Sequence, residues 1–163
     1  MEFLSTFTDI FVIGVLGRAV LTDVRSRRIG NRLTGTATAV GVMTHAVAGG
    51  WAAIPASLIG MTVGAAIMLL PYLSGGIGAG DLKLLAAIGA LKGAPFVVLA
   101  AICTGLAGGA LALFYLVRRR GLAGTMYWFG SALTGRAERT RGGRMPYAPA
   151  IAAGGLLALL FRR

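Results

Sequence analysis

The chain has 163 residues, 56% of them hydrophobic and only five acidic, and it carries a net charge of +11. Its mean hydropathy is +0.80, which leaves too few charged side chains to cover a soluble domain of this size. A single cysteine, Cys103, excludes an internal disulfide and a multi-cysteine zinc site.

The apolar residues fall in six runs. The first extends from about Phe3 to Thr22; Glu2 and the absence of any Lys or Arg before it are unlike a cleavable signal peptide, so it is expected to be kept as a helix. It contains Asp9 near one end and Arg18 further on, and it leads into Asp23, Arg25, Arg27, Arg28 and Arg32. The second runs from Leu33 to about Val47 and holds the sole histidine, His45. The third covers Ala53 to Leu73, and a glycine-rich stretch joins it to the short fourth, Asp81 to Leu91. The fifth covers Ala94 to Val117. A basic loop is expected from Arg118 to Met145, with Met126, Tyr127, Trp128 and Phe129 at the membrane interface. The last runs from Pro146 to Phe161. A full span needs roughly 20 residues, so the second, fourth and sixth runs must be tilted, shielded or set beside a thinned bilayer.

This pattern predicts an all-α, polytopic membrane protein with about six transmembrane helices in one domain over residues 1–163. Gly60 with Gly64, and Gly105 with Gly109, place small residues four apart, a spacing that lets helices approach closely in lipid. Cys103 reads as a small buried apolar side chain.

The charge distribution sets the orientation. Eleven of the sixteen basic residues fall in the segments after the first and fifth runs, and Lys83, at the start of the fourth run, makes twelve on the same side. Under the positive-inside rule those segments are cytoplasmic. Net charge alone is a weak sign of nucleic-acid binding, and clusters between apolar runs argue against such a partner. His45 then lies near the outer end of the second run, away from the cytoplasmic side.

Acidic residues in membrane segments are costly and usually functional. Glu138 lies among arginines that can pair with it. Asp9 is 14 residues before Asp23, about 21 Å along a helix, so the two cannot share a site. Asp23 and Asp81 are different, because the topology puts both at cytoplasmic helix ends. Two carboxylates meeting in a desolvated place tend to share one proton; the charged one can activate water while the protonated one polarises a carbonyl. Separate pairing of each acid with an arginine is the alternative. Four glycines, Gly75, Gly76, Gly78 and Gly80, precede Asp81 and would let an extended peptide approach it. No Walker-type Gly-Lys-Ser/Thr follows. Lys83, two positions on, points to another side of the helix and reads as a membrane-surface lysine.

These stretches resemble those of type IV prepilin peptidases. Gly78-Ala79-Gly80-Asp81 followed by Leu82-Lys83-Leu84 is similar to the family's Gly-x-Gly-Asp motif. Asp23 to Asn31 is similar to its other catalytic stretch, with Gly30 where proline is usual, and Met145 to Ala152 is similar to its last-helix signature. The resemblance implies an aspartic endopeptidase with Asp23 and Asp81 catalytic. Gly78, Gly80, Asn31 and Lys83 would support the loop or the substrate. No metal or cofactor is implied.

The implied substrate is a prepilin or pseudopilin, whose short basic leader is removed at the cytoplasmic face of the bacterial inner membrane. The implied partners are that substrate and the lipid bilayer. The larger members add an N-terminal region with paired Cys-x-x-Cys zinc motifs that methylates the mature pilin. This chain, with one cysteine, resembles the short peptidase-only class of tight-adherence (Flp) pilus systems. Another intramembrane aspartyl protease, a proton-coupled membrane module and a non-catalytic scaffold are the rival readings.

Overall fold

The computed structural model describes residues 2–26, 29–133 and 147–161, and every regular element among them is helical. In chain order these are α1 (Glu2–Ser26), α2 (Asn31–Gly49), α3 (Ile54–Leu73), α4 (Ala79–Lys92), α5 (Ala94–Leu133) and α6 (Ala148–Phe161). A 3₁₀ turn, Gly50–Ala53, joins α2 to α3, and Gly50 takes a φ of 64° that side chains rarely adopt. Three stretches are long and apolar enough to cross a membrane: Glu2–Ser26, the interrupted Asn31–Leu73, and Ala94–Leu111. The chain is therefore a helical membrane protein.

The helix α4 sits at the centre although it has only 14 residues, about 21 Å of helix. Every residue from Leu84 to Leu91 is buried. Glycines make this possible. A Cβ at Gly60 of α3 would collide with the carbonyl of Gly89 on α4, and one at Gly89 would collide with that of Gly60. A Cβ at Gly64 would lie 2.6 Å from the Leu85 carbonyl oxygen, and one at Gly41 of α2 would lie 2.6 Å from that of Ala90. The Ser57 hydroxyl donates to the Ala90 carbonyl at 2.8 Å, buried at the same seam. In lipid, helices associate by such close packing and not by escape from water. The Gly60–Gly64 expectation holds.

The other glycine pair does not pack as expected. Nothing among the described residues lies within 4 Å of a Cβ at Gly105 or Gly109. The α5–α6 contact uses Gly154 instead, where a Cβ would strike Thr104, while Gly108 lies against Tyr147. On its other side α6 meets α1, with Gly155 against Leu16. Cys103 is free and buried, as expected.

Two boundaries are corrected. The helix α1 continues through Asp23 to Ser26, so Asp23 lies inside its last turns and does not end it. The helix α5 does not stop at Val117 but continues through the arginines to Leu133, where a loop was expected. Arginine, leucine, alanine and methionine are good helix formers, and a helix beyond the bilayer need not be apolar. The rest of that expected loop, residues 134–145, lies outside the described residues.

Candidate active site

Three helix ends meet around the two aspartates. Asp23 comes from the last turns of α1, Asp81 from the first turn of α4, and the start of α6 lies against Asp23. Both aspartates are 7% exposed. Asp23 Oδ2 accepts a hydrogen bond from the Ala148 backbone N–H at 3.2 Å, so the carboxylate occupies the N-terminus of α6. The free N–H groups and dipole of a helix N-terminus favour a negative group there.

Asp81 is held differently. Its Oδ2 accepts from the Gly78 N–H at 3.1 Å, closing the loop onto the first turn of α4. Its Oδ1 is buried without a hydrogen-bond partner among the described residues. A buried carboxylate oxygen left unpaired is expensive unless the group takes up a proton or meets a ligand. Asp81 lies outside the three spanning stretches. It is pushed up to about 6, mainly by burial; the Gly78 N–H pulls the other way, and the Asp23 charge adds to the rise. Asp23 and Asp81, 58 positions apart in the chain, thus act on each other electrostatically.

The glycine loop divides into parts with separate roles. Gly75 takes a φ of 77° and reverses the chain after α3. Gly80 has no room for a side chain: a Cβ there would lie 2.9 Å from Ile29 Cβ and 3.4 Å from Ile29 N. The turn after α1 is thereby laid directly on the start of α4. At Gly78 a Cβ would lie 3.4 Å from Asp81 Oδ2, a milder restriction.

Lys83 and Asn31 meet, which the sequence reading did not foresee. Lys83 Nζ donates to Asn31 Oδ1 at 2.9 Å on the exposed side of the same junction. With Ile29 on Gly80, this makes two ties between the stretch after Asp23 and the residues on either side of Asp81.

Two further groups were missed by sequence reasoning. One is the Ala148 N–H, a backbone donor with no residue-type signal. The other is Tyr147, half-buried, which feels the Asp81 charge and rests its ring against Gly108. The Met145 to Ala152 stretch was the available pointer to both. Asp9 lies elsewhere, ion-paired with the largely buried Lys92, which also donates to Thr8 Oγ1 at 2.9 Å. His45 lines a cavity of about 600 Å³ with that pair, and its Nδ1 bonds the Gly41 carbonyl at 2.9 Å. No cluster of metal-ligating side chains occurs among the described residues.

Comparison with known proteins covers most of this arrangement. The sequence model of the type IV leader peptidase family matches residues 10–113, which include both aspartates and the glycine loop. The prepilin leader peptidase/N-methyltransferase of Bacillus subtilis (strain 168) is 38% identical over 87 residues. That match covers 53% of this chain and 28% of the relative, so the chain spans little more than a quarter of the curated protein it matches. No solved structure matches significantly. With the family model covering well over half of its length, the chain belongs to the type IV leader peptidase family.

Proposed function

We propose that this protein is an aspartic endopeptidase that removes the basic leader of a prepilin or pseudopilin, with Asp23 and Asp81 as its catalytic pair. The observation that carries the reading is the convergence of two buried carboxylates from distant parts of the chain, one of them with an unpartnered buried oxygen. In the mechanism Asp23, hydrogen-bonded at the α6 N-terminus, takes a proton from the attacking water. Asp81 holds a proton and donates it toward the carbonyl oxygen of the scissile bond as the tetrahedral centre forms. That centre then collapses: the C–N bond breaks, and the amine leaves with a proton returned from the pair. Water is the only co-reactant.

The scissile bond lies at the cytoplasmic face of the bacterial inner membrane in this reading. Support comes from the basic residues Arg25, Arg27, Arg28 and Arg32, which flank Asp23 as positive-inside segments do. A substrate leader left in the cytoplasm ahead of an apolar helix presents its junction at that depth. The similarity to the short class of tight-adherence systems makes a pilin of that kind the first substrate to try.

The test is co-expression with a candidate prepilin and a gel-shift readout of leader removal. Asp23→Asn and Asp81→Asn should each lower cleavage by about 10³-fold or more, because groups acting as one unit fail together. Both variants should still accumulate in the membrane, since removing a buried carboxylate also removes its desolvation cost. Normal processing by either variant rules the pair out.

A further inference from the structure

The first two helices leave a seam open along their whole length. Near the aspartates it is a cavity of about 590 Å³, bordered by Ile10, Gly14, Arg18 and Thr22 of α1 and by Leu33 and Thr36 of α2. Further along, a second cavity of about 300 Å³ continues it between Phe3 and Phe7 of α1 and Val40, Met43 and Val47 of α2. The two cavities occupy successive turns of the same helix pair. From Thr22 to Phe3 is 19 residues, about 28 Å of helix, close to the ~30 Å hydrocarbon thickness of a bilayer.

One end of this groove adjoins the site. Thr22 borders the groove and the next residue is Asp23; Gly30 borders it and the residue before is Ile29, which lies on Gly80. Gly14 leaves the floor open, with nothing among the described residues within 4 Å of where its Cβ would stand. The lining is mostly apolar, with Thr36 and Thr44 its polar members further along, and its charged residues, Arg18 and Arg32, stand with Thr22 at the end near Asp23.

We infer that the α1–α2 groove holds the membrane-spanning helix of the substrate and delivers its cytoplasmic end to Asp23 and Asp81. The inference rests on the peptidase reading and adds where the substrate lies. Length selects the occupant: a lipid acyl chain fills one leaflet, about half of the groove, whereas a single transmembrane helix fills it. Charge sets the direction. Arg18 and Arg32 repel a basic leader, so the leader stays beyond the aspartates while the apolar helix lies along α1. The exposed Gly14 allows close approach of two helix backbones, the usual device for helix contact in lipid.

The test pairs two identical substitutions on one helix. Gly14→Leu fills the groove; Gly17→Leu, also exposed and with open space at its Cβ among the described residues, stands one turn on and does not border the groove. In membranes holding the full chain and the prepilin, Gly14→Leu should raise KM about tenfold with kcat little changed, and Gly17→Leu should leave both near wild type. A photo-crosslinking residue placed at Thr36 or Met43 should capture the prepilin, and one at the exposed Leu106 of α5 should not. Equal effects of the two leucines overturn the inference. So does capture of only lipid, or of only a second copy of this chain, from Thr36 and Met43. Failure of the wild-type chain to process any prepilin would instead overturn the peptidase reading and this inference with it.

Discussion

Gly80 offers the most direct way to move one aspartate without touching either. An added methyl group would start 2.9 Å from Ile29 Cβ and 3.4 Å from Ile29 N. Carbon atoms rest at about 3.5–4.0 Å, so the first turn of α4 and the Ile29 turn must part by roughly 0.6–1.1 Å. Relief cannot come easily from elsewhere, because α4 is gripped along its length by Gly41, Gly60 and Gly64. The displacement therefore falls on the junction that sets Asp81 against Asp23. A misplacement of about 1 Å at reacting groups can cost about 100-fold in rate, while overpacking of this kind costs about 1–3 kcal/mol in stability. Gly80→Ala should consequently lose between about 10- and 100-fold in kcat/KM for prepilin cleavage, measured in membranes, while still accumulating. Ile29→Gly removes both Ile29 side-chain atoms from the contact, so the double variant should recover much of the lost activity. Full activity in Gly80→Ala would refute this reasoning, as would a double variant no better than the single one.

Other expectations follow from the remaining contacts. Lys83→Met and Asn31→Ala each remove the same exposed hydrogen bond, worth about 0.5–1.5 kcal/mol, so each should slow cleavage several-fold and the double variant should be little worse than either; strict additivity in that cycle would separate the two residues. Asp9→Asn should process prepilin at close to the wild-type rate yet lower thermal stability in detergent by about 1 kcal/mol, because Lys92 loses its charged partner but keeps Thr8, and Asp9 is itself 38% exposed. His45→Ala should cleave normally, since His45 lies about 21 Å along α2 from Asn31 and the site; loss of cleavage in an accumulating variant would move the site.

The membrane class and the helical fold were legible in the sequence, and Asp23 and Asp81 stood out in it as candidates. Lipid forbids an unpaired acid, so two isolated aspartates at helix ends stand out, and a glycine run before one of them marks a backbone that must approach something closely. What stayed hidden was pairing. Asn31 with Lys83 and Asp9 with Lys92 are joined across 52 and 83 positions, and nothing local distinguishes a paired lysine from one at the membrane surface. The Ala148 N–H is invisible for a deeper reason: every residue except proline carries one. The extension of α5 is hidden because a run of charge after an apolar segment resembles a loop, although arginine favours helix once the chain has left the bilayer.

The shortness of α4 then acquires a physical reason. A helix of 14 residues cannot reach across a ~30 Å hydrocarbon layer. Alone it would strand its first-turn N–H groups and its carboxylate in lipid, where unsatisfied backbone is untenable. It is possible here because α2 and α3 enclose it through glycine contacts and because Asp81 itself accepts from the Gly78 N–H. The same enclosure keeps Asp81, in the first turn of α4, buried. The burial of Asp81 thus depends on a helix too short to span the membrane, and on the glycines that let that helix be enclosed.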